Sequence, residues 1–351
     1  MKPSPAASPR TRVVDPPALF SRSPRRTSQA SFVIVMLLVV VCAAPVARAQ
    51  DKAPIEWSVE APLAPKSLLL DVANVDGMLV VVGERGHILS SNDAGATWKQ
   101  AKVPTRSTLT GVCFSDKRHG WAVGHDSVIV RTTDGGGTWE RVHWAPEEES
   151  PFLDVLFLDE KRGFAVGAYG AFSVTSDGGT TWNPAPISEE DDFHLNQIAR
   201  AASGKLYIAG EAGAIYRSDD DGATWTKLAS PYEGSFFGVL PLDGDAVLLF
   251  GLRGHMLRSE DAGATWTRVE TGTVSMLNSG VRLKDGTIVI VGLGGVVLVS
   301  KDDGRTVAMH QQSSRAGIQA VADAGGGKLL LAGEGGVRLL PLADLAAKEG
   351  K

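Results

Sequence analysis

The chain has 351 residues, with 40 Gly and 18 Pro against 11 Phe, 8 Trp and 4 Tyr, a balance that favours many short elements joined by turns. Hydrophobic residues at 43% and charged residues at 21% exclude a disordered chain, a collagen and a many-span membrane protein. Of 35 basic and 40 acidic residues, positions 1–50 hold seven and one, which leaves 28 and 39 beyond them, net -11; so acidic a body excludes general binding to a nucleic-acid backbone.

The first predicted element is a leader. Basic residues from Lys2 to Arg26 precede an uncharged run at positions 31–45, SFVIVMLLVVVCAAP, and then Ala47-Arg48-Ala49. This is the pattern of an export signal, with cleavage expected before Gln50, and the run is shorter than the ~20 residues of a spanning helix. Arg25-Arg26 is followed by Thr27-Ser28-Gln29 rather than the hydrophobic pair of a twin-arginine signal, so the general secretory route is expected. Beyond the leader only Cys113 remains, which excludes an internal disulfide and suits a small core residue. Positions 346–351 read as a short tail.

From Trp57 onward the chain repeats itself. The leading glycines Gly83, Gly124, Gly167, Gly210, Gly251, Gly292 and Gly333 recur every 41 to 43 residues, which makes seven units. Each unit reads as four short strands, through stretches such as FLDVLFLD, GFAVG, AFSVTS and WERVHW. Four strands per repeat describe a propeller blade, and β-branched runs broken by Gly and Asp exclude a helical solenoid. Trp98, Trp139, Trp182, Trp225 and Trp266 open the fourth strands, with Val307 in the sixth unit. Trp57 lies 41 residues before Trp98, and the last unit has only three strands. The expected fold is therefore an all-β, seven-bladed β-propeller over residues 50–345, its ring closed by the N-terminal strand joining the last blade.

Six units carry [Ser/Thr]-x-Asp-x-Gly-x-Thr, at Asp93, Asp134, Asp177, Asp220, Asp261 and Asp302. A carboxylate that accepts N–H groups of its own turn, a glycine in the left-handed region and a following Trp between sheets make a structural hairpin. This is the Asp-box, or BNR, signature. The run Asp219-Asp220-Asp221 looks like a cation loop but lacks the further acidic ligand that calcium requires. The wording around the box, LTGVCFSDKRHGWAVGHDSVIVRTTDGGGTWERV and FLDVLFLDEKRGFAVGAYGAFSVTSDGGTTWNPA, resembles repeats of the photosystem II stability/assembly factor family, bacterial relatives without photosynthesis included. The resemblance runs from about Trp57 to Leu342. It implies an exported, non-enzymatic, monomeric scaffold without metal or cofactor. Its implied client is a membrane protein on the extracytoplasmic side, a photosystem II core subunit where the cell is photosynthetic.

Strand direction alternates within a blade, so second-to-third turns and blade crossovers share one face and Asp-box turns take the other. The first face carries the variable pairs Glu84-Arg85, His125-Asp126, Ala168-Tyr169, Glu211-Ala212, Leu252-Arg253, Leu293-Gly294 and Glu334-Gly335. Glu84, Arg85, His125, Asp126, Tyr169, Glu211, Arg253 and Glu334 are the candidate partner-binding residues, joined by the acidic crossovers at 147–149 and 189–192 and by Tyr232, Phe236 and Phe237. The enzymatic alternative is a sialidase-like glycoside hydrolase, with two of Glu84, Asp126, Glu211 and Glu334 as its carboxylates. The face offers only Arg85, Arg253 and Tyr169 where sialidases hold an arginine triad and a Tyr-Glu pair. The seven histidines show no zinc spacing, and no glycine phrase is followed by the Lys-Ser or Lys-Thr of a phosphate loop.

Overall fold

Each repeat forms one antiparallel sheet in chain order, as in blade 1 with Leu69–Val75, Met78–Gly83, Ile88–Ser91 and Lys99–Gln100. The computed structural model describes residues 54–188 and 192–346; the expected leader, its cleavage point, residues 189–191 and the tail beyond 346 lie outside it. Among the described residues there are seven sheets, six of four strands and one of three, and the seven-bladed β-propeller is the fold.

The second strands explain the radial arrangement. GWAVG, GFAVG, LYIAG, VLLFG and IVIVG are buried along their whole length, because each lies mid-sheet with another blade against either face. Seven apolar clusters fill the seven gaps between consecutive sheets. Trp139 is typical: 5% exposed, it meets Phe114 edge-on at 6.2 Å within the cluster between blades 1 and 2.

The Asp-box turns carry the hydrogen bonds that their sequence demands. In all six boxes the Ser or Thr hydroxyl donates to the Asp carboxylate, and the closing Thr gives its N–H to Oδ1 and its hydroxyl to Oδ2, the last at 2.5 to 2.7 Å. At Gly222, φ is +87° and a Cβ would run into the Phe164 ring, so only glycine fits. The Thr97, Thr224 and Thr265 hydroxyls and the Thr181 N–H lead the bonds that hold Asp93, Asp220, Asp261 and Asp177 down to about 2. Asp134 is lowered likewise, chiefly by the Thr138 N–H, and at Asp302 burial pushes upward but the bonds from Thr306 and Ser300 prevail, leaving about 2.

The ring closes differently from the expected ladder. The last sheet keeps three strands, Ile318–Gly325, Lys328–Gly333 and Gly336–Pro341, and the segment around Trp57 does not pair with it. That segment hydrogen-bonds blade 1 instead, while Ala61 and Ala64 pack into the apolar cluster between the last and first blades. Ser58 N–H donates to Val103 O at 2.8 Å, Val103 N–H to Ser58 Oγ at 2.9 Å, and the Gln100 amide bonds Val59 O and Ala61 N–H, each at 2.9 Å. One physical reason is side-chain chemistry. Three residues beyond each Trp position, Ala101, Val142, Ala185, Leu228 and Val269 pack onto the next blade, whereas the segment from Trp57 has Glu60 there. Seating it would press a carboxylate onto apolar side chains.

A second reason is register. In six blades the residue before the leading Gly faces the residue five after that Gly, as in Val82 with Ile88 and Phe250 with Met256. In the last blade Ala332 faces Val337, four after Gly333, because a two-residue turn replaces the longer loop. The third strand is therefore slipped by one residue, and its alternation is inverted relative to its siblings.

Candidate functional site

The face that bears the second-to-third turns is built by one bond repeated seven times. The N–H of the residue after each leading Gly donates to the carbonyl just ahead of, or next to, its own blade's first strand: Glu84 to Leu68, His125 to Thr108, Ala168 to Pro151, Glu211 to His194, Leu252 to Ser235, Leu293 to Met276 and Glu334 to Gly317, all at 2.8 to 3.1 Å. Turns and crossovers thus stand together around the channel mouth.

In the first five turns the next position is an exposed tip. Arg85, Asp126, Tyr169, Ala212 and Arg253 all have φ between 52° and 59°, in the left-handed region, and all are exposed. Arg85 and Arg253 have no hydrogen-bond or ion-pair partner among the described residues. Tyr169 is 64% exposed and stands edge-on to His194 at 4.9 Å. His125 is exposed beside Asp126.

The turn carboxylates are held inward. Glu84, Glu211 and Glu334 accept the N–H of Leu68, His194 and Gly317, at 3.4, 3.3 and 2.8 Å, and so brace the turn against the crossover. Asp126 accepts the Ser107 hydroxyl at 2.5 Å. The Asp219–Asp221 run is likewise engaged: Asp219 pairs with Arg217, Asp221 with Arg162 and Arg200, and Asp220 serves its box. Asp116, His119 and Glu160 bring three potential ligand atoms within 4.8 Å of one another, where Asp116 bonds the His119 ring.

Apolar side chains missed by the sequence reading join this face. Leu63, Leu68, Trp144 and Val274 are exposed in crossovers, Val274 at 86%, and none of the exposed large hydrophobic residues sits in an Asp-box turn. Trp144 lies 4.7 Å from the Arg141 guanidinium. Of the crossover aromatics, Phe236 is fully buried, and Tyr232 stacks on His255 at 3.9 Å with its hydroxyl on Leu252 O.

Phe237 lines the channel. Every first strand has a bulge, which places Leu70, Thr110, Leu153, Asn196, Phe237, Asn278 and Gln319 around a cavity of about 80 Å³. Neighbouring side chains stitch blade to blade there. Asp71 accepts Val112 N–H at 2.8 Å, Asp154 accepts Ile198 N–H at 2.9 Å, Gln197 accepts Val239 N–H at 2.7 Å, and Asn278 donates to Ile318 O at 2.8 Å. Withdrawal from bulk solvent pushes the Asp71 carboxyl up to about 7. Burial, with the Asp71 charge added, takes Asp154 to about 8. Cys113, half-buried beside them, has its thiol raised chiefly by burial, so it is a poor nucleophile.

The family model described as photosynthesis system II assembly factor YCF48 matches residues 90–152 and 142–342. The chain belongs to this family. Among curated relatives, the chloroplastic photosystem II stability/assembly factor HCF136 of Oryza sativa subsp. japonica is 31% identical over 129 residues, 33% of this chain and 30% of that protein. Its counterpart in Cyanidioschyzon merolae is 46% identical over 54 residues, 15% of this chain and 12% of that protein. The chain thus spans less than a third of either relative's length in these matches. A solved structure titled YCF48 bound to D1 peptide superposes with a TM-score of 0.64 at 18% identity, covering 82% of this chain and 97% of that one. Streptogramin B lyase gives 0.68 at 14% identity, covering 82% and 97%, so likeness at this level shows the propeller fold alone.

Proposed function

We propose that the protein is an exported, monomeric, non-enzymatic assembly factor whose unit of residues 50–345 holds a segment of a membrane-protein client on its channel-mouth face. The observation that carries this reading is the composition of that face: unpaired Arg85 and Arg253, exposed Tyr169, Trp144 and Val274, all opposite the Asp-box turns. Arg and aromatic side chains around apolar ones make the centre of a protein interface. The carboxylates a hydrolase would require are engaged in bracing turns, which favours recognition over catalysis. A relative solved with a D1 peptide supports a polypeptide client, and family names that refer to photosystem II assembly support a membrane subunit as its source. The site of action is the extracytoplasmic membrane surface, the thylakoid lumen in a photosynthetic cell.

Affinity capture from solubilised membranes tests the reading. Wild-type protein recovers a membrane protein, and Arg85→Glu combined with Arg253→Glu reduces recovery while stability stays within about 0.5 kcal/mol. Loss of capture on charge reversal in the Asp-box face, with the mouth variant normal, would assign the wrong surface. Turnover of a sialoside or β-glucan abolished by Glu211→Gln would replace the scaffold with an enzyme.

A further inference from the structure

We infer that the turns between the first and second strands of blades 2 and 3 together form a site for a divalent transition-metal cation such as zinc, on the Asp-box side of the ring and apart from the mouth face. Asp116, His119 and Glu160 each place a ligand atom within 4.8 Å of the other two. His119 Nδ1 stands 2.8 Å from Asp116 Oδ2, and Asp116 Oδ1 accepts the N–H groups of Arg118 and His119 at 2.6 and 2.9 Å, so the carboxylate is already held in place. The Arg118 and Lys161 carbonyls accept the N–H of Gly135 and Gly178, each at 2.9 Å, which anchors both turns on Asp-box turns. Glu160 comes from the neighbouring blade, exposed and without a partner among the described residues. Lys117 and Arg118 are engaged elsewhere: Lys117 pairs with Asp76 at 3.8 Å, and Arg118 Nε donates to Thr133 O at 3.3 Å.

The next seam shows what such a place requires. Blade 3 repeats the turn Asp116-Lys117-Arg118-His119 as Asp159-Glu160-Lys161-Arg162. There Arg162 stands 2.9 Å from Asp159 and 3.4 Å from Asp221 of blade 4, so a guanidinium charge serves carboxylates of two blades. Between blades 2 and 3 a histidine holds the corresponding position, and its neutral ring beside Asp116 and Glu160 supplies a ligand instead of a charge. A bound dication supplies the charge and takes both carboxylates and the ring. One imidazole with two carboxylates suits zinc and its transition-metal neighbours, whereas calcium and magnesium prefer oxygen alone. Ligand atoms around zinc lie ~3 to 3.5 Å apart, close to the present spacing of Asp116 and His119, and the exposed Glu160 side chain closes the set by moving ~1 Å. The ion takes the place of the proton shared by Nδ1 and Oδ2, and the neutral ring keeps its proton on Nε2.

The probe is zinc chloride, titrated into the purified full chain by calorimetry. One zinc binds per chain, saturably, and calcium or magnesium at equal concentration does not displace it. His119→Ala and Glu160→Gln each weaken binding at least tenfold. His143→Ala, which removes the histidine that feels Glu147 and Glu148, leaves it unchanged. Amides of residues 115–119 and 158–162 gain exchange protection together when zinc is added. His119→Arg, which copies blade 3, loses zinc binding but keeps the unfolding temperature of the metal-free wild type, so loss of the ion is separated from loss of the fold. Absence of saturable uptake, equal uptake by His119→Ala or Glu160→Gln, or loss of uptake in His143→Ala overturns the inference. So does displacement by calcium or magnesium, which would reduce the site to an acidic surface, or protection confined to one of the two turns. Arg85→Glu with Arg253→Glu binds zinc as the wild type does, so a failure of the mouth face and a failure of this site are read apart.

Discussion

Two sets of aspartates in this protein respond to acid in opposite directions. Asp71 and Asp154 stand in the channel with carboxyls at about 7 and 8 instead of the ordinary 3.8. Above the ordinary value the unfolded chain has released these protons and the folded one retains them, so their effect is to lower stability as pH rises from about 4 to 8. The box aspartates at about 2 add stability above the ordinary value and lose it as pH falls towards 2. His87 and His143, lowered by burial, add an acid-side loss below about 6.5. Thermal unfolding of Asp71→Asn with Asp154→Asn should therefore show a higher Tm than wild type at pH 8 and little difference at pH 4; an unchanged slope would place both carboxyls in bulk-like water. Trp139→Ala, at a buried junction, should cost about 3–5 kcal/mol by denaturant titration, and a loss under about 1 kcal/mol would contradict its burial. The six box aspartates were legible because their turn is encoded in seven consecutive residues. Asp71 and Asp154 were not, because a bulge shifts the alternation by one and makes a channel residue read like any other strand position.

At the scale of the strand, repetition made the blades legible and nearly hid the exception. Trp57 keeps the period of a fourth strand, so pattern alone sends it to the last sheet. What overrides the pattern is Glu60, together with a competing amide on Gln100 that no periodic argument weighs. Gln100→Ala should free the segment before Pro62, seen as faster proteolysis there with global stability changed by less than about 1 kcal/mol; unchanged cleavage would mean that Ser58 and Val103 suffice to hold it. The slipped register of the last hairpin was also beyond the sequence reading, which aligned Glu334-Gly335 with the other turn pairs. A turn two residues long leaves no room for the tip found at Arg85 or Tyr169.

The seven blades of the described residues form a ring with one weaker joint. Of the buried side chains in the cluster between the last and first blades, Ala64, Ala320, Ala324 and Ala332 are small, whereas the cluster between the fifth and sixth blades is built from Leu, Ile, Val, Phe and Met. Native-state hydrogen exchange should find the joint between the last and first blades opening before the one between the fifth and sixth, and uniform protection around the ring would refute this. The channel has a different implication. Its seven bulged positions hold Leu, Thr, Leu, Asn, Phe, Asn and Gln on strands that otherwise share one geometry. A bulged side chain is outside the alternation that packs blade on blade, yet Thr110, Asn196 and Asn278 each donate to a carbonyl of the next blade's first strand, which leaves Leu70, Leu153 and Phe237 without a hydrogen-bonding role at the joints. The lumen is thereby uncoupled from foldability only in part: selection can rewrite positions 70, 153 and 237 across size and polarity while the architecture stays the same, but a change at Thr110, Asn196 or Asn278 also loosens a joint.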